Sequence, residues 1–321
     1  MAFYPDPNYD LMTIRSFLCA PLIRGGSGFI GQSLAQLLKK RGHKVTIISR
    51  HPGEHRITWT DISKKGLPPC DSVVNLAGEN VLNPLRRWTE QFKLEVTASR
   101  IETTRTLAQA IGQSQNPPRS WVVVTGVGYY PPSQTQQYSE YSPGGEADFL
   151  SRLVRDWEAA AQLPLQDGKP ITQLVKVRSG VVLGRNGGAL PAMLWPFRLC
   201  LGGTVGSGNQ PFPWIHIEDL CRLLVQTVEQ EDGDGGILNA VSPSSITDTN
   251  ADFTRALSRS LGRPALLFTP AFAVKLLLGN DRASMLLEGQ KVSPQRTLQS
   301  GFSFLYPDLD SALTQLLNSN Q

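Results

Sequence analysis

Gly25-Gly26-Ser27-Gly28-Phe29-Ile30-Gly31 decides how the rest of this 321-residue chain is read. It follows a short apolar run, Phe17 to Arg24, and opens an amphipathic stretch, Phe29 to Arg41. A strand that turns through glycines into a helix uses them for a tight turn, for close backbone approach to a pyrophosphate, and for close helix–sheet packing. The phosphates of such a ligand rest on the first amides and the positive end of the helix. Gly25, Gly28, Phe29, Ile30 and Gly31 are therefore expected to hold a dinucleotide. The approach strand is irregular, because Pro21 removes a ladder donor and Arg24 is an unusual last residue.

Beyond the turn, strand and helix signals alternate. KVTIIS (Lys44–Ser49), DSVVNL (Asp71–Leu76), WVVVT (Trp121–Thr125) and Leu174 to Leu183 read as strands. Pro84 to Gly112 and Ala147 to Gln162 read as helices between them. Strands rich in Val and Ile that alternate with helices indicate a parallel sheet covered on both faces. The fold class is α/β, a doubly wound (Rossmann) parallel sheet. After Gly184 the texture changes: Gly and Pro are dense to Pro213, and Thr247 to Leu261 forms a capped helix. A smaller mixed carboxy-terminal lobe should make the other wall of a cleft. The expected division is an atypical amino-terminal segment (1–24), a dinucleotide-binding domain (17–185 with returning elements at about 212–242), and a substrate lobe (186–211 and 243–321).

Composition narrows the function. Hydrophobic residues make up 40% and charged residues 18%, a globular balance that excludes a disordered or collagen-like chain. The best apolar run, Ala189 to Leu201, is broken by Pro191, Pro196 and Arg198, so no membrane span is expected. A net charge of +4 from 31 basic and 27 acidic residues, with no basic block, argues against nucleic acid. Cys19, Cys70, Cys200 and Cys221 are too far apart for a zinc knuckle and read as buried thiols. Pro52 and Gly53 interrupt the His51/His55 pair, so no metal site is expected. The cytoplasm is the expected location. Mitochondria are the alternative, because Met12 to Gly53 contains no acidic residue and a start at Met12 would look like a targeting sequence.

The end of the second strand selects the cofactor. An acid about twenty residues after the glycines holds the ribose 2′-hydroxyl in NAD-binding versions of this fold. Ser49, Arg50 and His51 stand there instead. Arg50 can hold a 2′-phosphate in a charge-assisted fork and Ser49 can add a hydrogen bond, which points to NADP(H).

These features make the chain resemble the extended short-chain dehydrogenase/reductase superfamily, and within it the atypical epimerase-family branch called the SDR39U1/YfcH-like group. The matching stretches include GGSGFIG (Gly25–Gly31), VVNLAGENV (Val73–Val81), RRW (Arg86–Trp88), VTGVGYY (Val124–Tyr130), VRSGVVLG (Val177–Gly184) and GSGNQPFPWIHIEDL (Gly206–Leu220). LLEGQKVSPQRTLQSGFSF (Leu286–Phe304) resembles the small carboxy-terminal domain of that group. Residues 1–24 depart from the pattern. The resemblance implies that Leu76, Ala77 and Gly78 lie along the adenine side and diphosphate. It also implies that Glu95 and Arg100 approach the cofactor and that Val182 lies near the nicotinamide.

The usual proton-transfer pair is missing. Short-chain dehydrogenases use Tyr-x-x-x-Lys, in which lysine lowers the tyrosine pKa. Alignment on Trp157-Glu158 puts Leu150 where tyrosine belongs and Val154 where lysine belongs. The catalytic serine/threonine position is kept as Thr125, and Tyr129 and Tyr130 just beyond it are candidate replacement acids. His216 and Asp219 read as structural, with Asp219 helping to cap a helix. The expected activity is that of an NADP(H)-dependent oxidoreductase on a small-molecule substrate. The alternative is a catalytically silent NADP(H)-binding regulatory or scaffold protein with a protein partner.

Overall fold

Pro21–Arg24 (β1) and Phe29–Lys40 (α1) flank the glycine turn in the computed structural model of the chain, which describes residues 18–78, 88–146, 148–166, 168–230, 233 and 235–318. Pro21 is tolerated because it takes the first position of its strand, where a missing donor costs least. The remaining strands of the sheet are Thr46–Ser49 (β2), Arg56–Thr58 (β3), Ser72–Asn75 (β4), Ser120–Gly126 (β5), Gln173–Ser179 (β6) and Gly236–Ala240 (β7). Their spatial order is β3-β2-β1-β4-β5-β6-β7, and every pairing is parallel. The strand order reverses between β1 and β4, and such a switch point opens a crevice at the carboxyl ends of the strands.

Strand alternation sends neighbouring residues to opposite faces. Ile23, Val74, Val122 and Val124 pack under α1 and under Ile217–Glu229, through Leu34, Leu38, Leu220 and Leu224. Leu22, Val73, Trp121 and Val123 pack on the other face against Ile62 of Trp59–Lys65 (α2), Leu107 of Glu90–Gly112 (α3) and Trp157 of Phe149–Ala160 (α4). Thr89 caps α3, so the helix expected from Pro84 begins at Glu90. Residues 84–87, the start of that expectation, lie outside the described residues, as do Arg86 and Arg87 of the RRW match, Glu79 to Val81, Ala147 and residues 1–17.

One expectation is corrected. The single strand read over Leu174 to Leu183 is two strands in two sheets, because the chain breaks at Gly180. A β-carbon on Gly180 would lie 2.7 Å from the Pro213 carbonyl oxygen, so only glycine lets these segments approach. Val181–Gly184 pairs with Trp214–His216 and with Gly187–Gly188 in a separate three-stranded sheet. A second core forms against this sheet from Leu190, Phe197, Trp214, Phe253, Leu257 and Leu313. Cys200 is exposed, contrary to the buried thiols expected, while Cys19 and Cys221 are buried. Burial pushes the Cys221 thiol up to about 12. No described helix is long and apolar enough to cross a membrane, and no group of described residues could hold a metal ion.

Candidate functional site

The glycines of the turn differ in what they do. Gly25 has a φ of +84°, and a β-carbon there would lie 2.9 Å from the Leu76 carbonyl carbon at the end of β4. A β-carbon on Gly31 would collide with the Gly25 carbonyl oxygen, so Gly31 lets α1 sit on the turn. Gly28 has an ordinary φ of −80°, and a β-carbon there would meet only the Gly25 oxygen, at 3.3 Å. The protein's own packing therefore makes little demand for glycine at 28, and the space above it is open. No side chain caps α1, and its first turn holds no acid. Open amides at a helix amino terminus beside an uncrowded glycine fit a pyrophosphate. Phe29 turns its ring the other way, into a slot floored by glycines 184, 187 and 188; a β-carbon on Gly187 would lie 2.5 Å from the ring.

Next to the turn lies a cleft of about 380 Å³. Ile30, Leu76, Ala77, Gly78, Arg100, Thr125 and Val182 all line it, so seven of the residues singled out in the sequence converge there. The Arg100 guanidinium lies over the Trp157 ring at 5.4 Å from its centroid. A β-carbon on Gly78 would come within 3.0 Å of that guanidinium, so Arg100 packs directly on the end of β4. Glu95 is exposed on α3 and does not line the cleft. Ser49 ends β2 and Arg50 follows it, and neither lines the cleft; the Ser49 hydroxyl accepts from the His51 amide at 3.3 Å, and Arg50 is exposed.

Leu150, Val154, Trp157 and Glu158 share one face of α4 at helical spacing. Leu150 and Val154 both line the cleft, at the places where a proton-transfer pair would stand. Thr125 lines it too, and its hydroxyl donates to Glu158 Oε1 at 3.2 Å. Glu158 is buried and held in a two-bond fork by Arg178, at 2.7 and 2.8 Å. Burial works against the Arg178 charge, but the Glu158 carboxylate outweighs it and raises the Arg178 pKa. Burial also lowers the Lys176 pKa beside this pair.

Tyr129 and Tyr130 do not meet the expectation of acids facing the cleft. Tyr130 is fully buried; its hydroxyl accepts from Arg178 at 2.9 Å, and its one proton is shared between Asn239 Oδ1 and the Ser139 carbonyl, both at 2.9 Å. Burial raises its pKa further from the neutral range. Tyr129 stacks on the Arg178 guanidinium, 3.3 Å from the ring centroid, and Gly144 packs against the same ring. The two rings pack around Arg178 instead of lining the cleft. Sequence reasoning missed the Glu158–Arg178 pair, although a charged residue within the apolar strand KVRS was its signal.

His216 and Asp219 are structural, with roles other than the cap expected of Asp219. His216 Nδ1 accepts from the Glu218 amide as helix cap, and its Nε2 meets Gln315 Oε1 at 3.0 Å. Asp219 is buried in the first turn of Ile217–Glu229 and accepts the amides of Leu305 and Tyr306, tying the carboxy-terminal segment to that helix.

Fold and cleft together define a Rossmann protein of the short-chain dehydrogenase/reductase type. Residues 21–152 match the NAD dependent epimerase/dehydratase family, and residues 269–316 match a domain of unknown function, DUF1731. The chain belongs to the epimerase family that contains the SDR39U1 proteins. It is 57% identical over 296 residues to the SDR39U1 protein of Bos taurus, covering 92% of this chain and 99% of that one. It is 34% identical over 302 residues to epimerase family protein YfhF of Bacillus subtilis, covering 91% and 96%. The crystal structure of human SDR39U1 (isoform 2) with NADPH superposes with a TM-score of 0.89 at 53% identity, covering 94% of this chain and 99% of that one.

Proposed function

We propose that the cleft binds NADP(H) and that the chain is a slow NADP(H)-dependent oxidoreductase for a small substrate. The observation that carries the cofactor is Ser49-Arg50 at the end of β2, where an acid would select NAD. The NADPH in the related human structure supports the same reading. The open amides at Phe29 and Ile30 would hold the pyrophosphate, Leu76 to Gly78 would lie along its adenine side, and Val182 would face the nicotinamide. When bound, that cofactor supplies or accepts a hydride.

What the protein adds is orientation. Because Glu158 holds the Thr125 proton, Thr125 turns lone pairs toward the cleft. It is thereby set to accept a hydrogen bond from a substrate hydroxyl and to fix the carbon that bears it. Leu150 and Val154 exchange no proton, so the 10²–10⁴-fold assistance typical of a general acid is missing, roughly speaking, and turnover is slow. The test is stopped-flow NADP+ reduction by a panel of alcohols and NADPH oxidation by the corresponding carbonyl compounds, with calorimetric binding alongside. Slow turnover with tight NADPH binding supports the reading, and failure to bind NADPH overturns it.

The apolar pair at Leu150 and Val154 also favours a second reading, a nucleotide-binding protein without turnover that acts through a protein partner. Tight NADPH binding with no turnover of any compound in the panel would select it.

A further inference from the structure

Arg24, the irregular last residue of β1, has a position that the proposed chemistry does not yet use. Its guanidinium carbon lies 5.4 Å from the centre of the Trp59 ring. Trp59 opens α2 directly after β3, and the sheet order places β2 between β1 and β3. A side chain that starts on β1 and reaches Trp59 must cross the end of β2, where Ser49 and Arg50 stand. Arg24 Nε is shielded from solvent and makes no hydrogen bond, and neither Arg24 nor Arg50 forms an ion pair with a described carboxylate. Burial and the nearby Arg50 charge both lower the Arg24 pKa. Two arginines held at one strand end with no anion between them make a seat for one.

We propose that Arg24 is the second cation of a two-arginine seat for the ribose 2′-phosphate of NADP(H), with Trp59 fixing its guanidinium from behind. This rests on the NADP(H) reading above. Arg50 reaches the phosphate from the exposed rim, and Arg24 reaches it from the half-buried floor. The floor arginine is the stronger contact, because solvent screens it less and its planar fork is already oriented by the indole.

The test is calorimetric titration of NADPH, NADH, adenosine 2′,5′-bisphosphate and 5′-AMP into the full chain. Wild type, Arg24→Met, Arg24→Lys and Arg50→Met are compared, with a melting curve for each. Arg24→Met should weaken NADPH and the bisphosphate about tenfold or more and leave NADH and 5′-AMP within about twofold. Arg24→Lys should recover part of the loss. Wild-type protein that binds NADH as tightly as NADPH overturns the cofactor reading and this inference with it. A wild-type preference for NADPH that survives Arg24→Met overturns the inference alone. Equal weakening of all four ligands, or an Arg24→Lys variant no better than Arg24→Met, also overturns it, since either assigns Arg24 to the turn's structure and not to the phosphate.

Discussion

Replacing Gly28 by alanine separates the ligand's needs from the protein's. The new methyl group meets one protein atom, the Gly25 oxygen at 3.3 Å, and Gly28 already has a φ that alanine adopts freely. The cost to the fold is that of alanine at a helix N-cap, about 1 kcal/mol, or a fall in Tm of about 2 °C for a chain of this size. The cost to binding is larger. The methyl group occupies the open space over the first turn of α1, so the pyrophosphate is lifted from the amides. Losing one or two charge-assisted hydrogen bonds at about 1.5–3 kcal/mol each weakens binding by about 1.5–6 kcal/mol, at least about tenfold. NADPH and NADH share the pyrophosphate and should lose affinity equally. The control is Gly31→Ala, whose methyl group collides with the Gly25 carbonyl and should destabilise the fold itself by about 1–3 kcal/mol. Calorimetric titration with a melting curve for each variant reads both quantities. If Gly28→Ala binds NADPH within about threefold of wild type, the turn is a packing device and the phosphate site lies elsewhere.

Arg50→Ala should weaken NADPH by about 1.5–3 kcal/mol and leave NADH nearly unchanged; equal losses measured by titration would contradict the 2′-phosphate assignment. Thr125→Val should lower any rate of NADP+ reduction by an alcohol about tenfold or more at unchanged cofactor affinity, whereas Tyr129→Phe should not slow it. Tyr130→Phe should show its effect in urea unfolding, at about 1–3 kcal/mol, because it strips a partner from Arg178 and Asn239. Fast turnover that survives Thr125→Val would contradict Thr125 as the group that orients the substrate. Burial would raise the Glu229 pKa, but hydrogen bonds from Arg41 and His43 outweigh it and hold it below the ordinary 4.5. That contribution is complete above pH 4.5 and is lost as pH falls through the depressed folded value. The stability gap between wild type and Glu229→Gln, read by urea unfolding, should therefore narrow on acidification; a widening gap would reverse the sign.

Local pattern carried the sheet well and the side-chain directions poorly. Glycines 25, 28 and 31, and the apolar runs at Val73, Val122 and Val177, are legible because turn chemistry and period-two burial are properties of a few adjacent residues. The break at Gly180 is not, since what forces it is the Pro213 backbone, more than thirty residues away. Tyr129 and Tyr130 were misdirected for a similar reason: a loop side chain can turn to either side, and the partner that settles it, Arg178, comes from another strand. β3 is three residues long and gave no periodic signal, so the irregular Arg24 could be noticed but not joined to Trp59.

The slot that holds Phe29 has a consequence for how such chains can change. An aromatic residue one step past the phosphate turn and glycines at 184, 187 and 188 are mutually dependent, although some 155 positions separate them. A methyl group on Gly184 or Gly187 would evict the ring, one on Gly188 would press on it and collide with the Val182 carbonyl, and a smaller residue at 29 would leave a hole against bare backbone. A chimera that joined the turn of one homologue to the hairpin of another would have to carry all four positions together. Substitution at one of them alone should be rare among natural variants, and exchange of all four at once should be the route by which this seam is rebuilt.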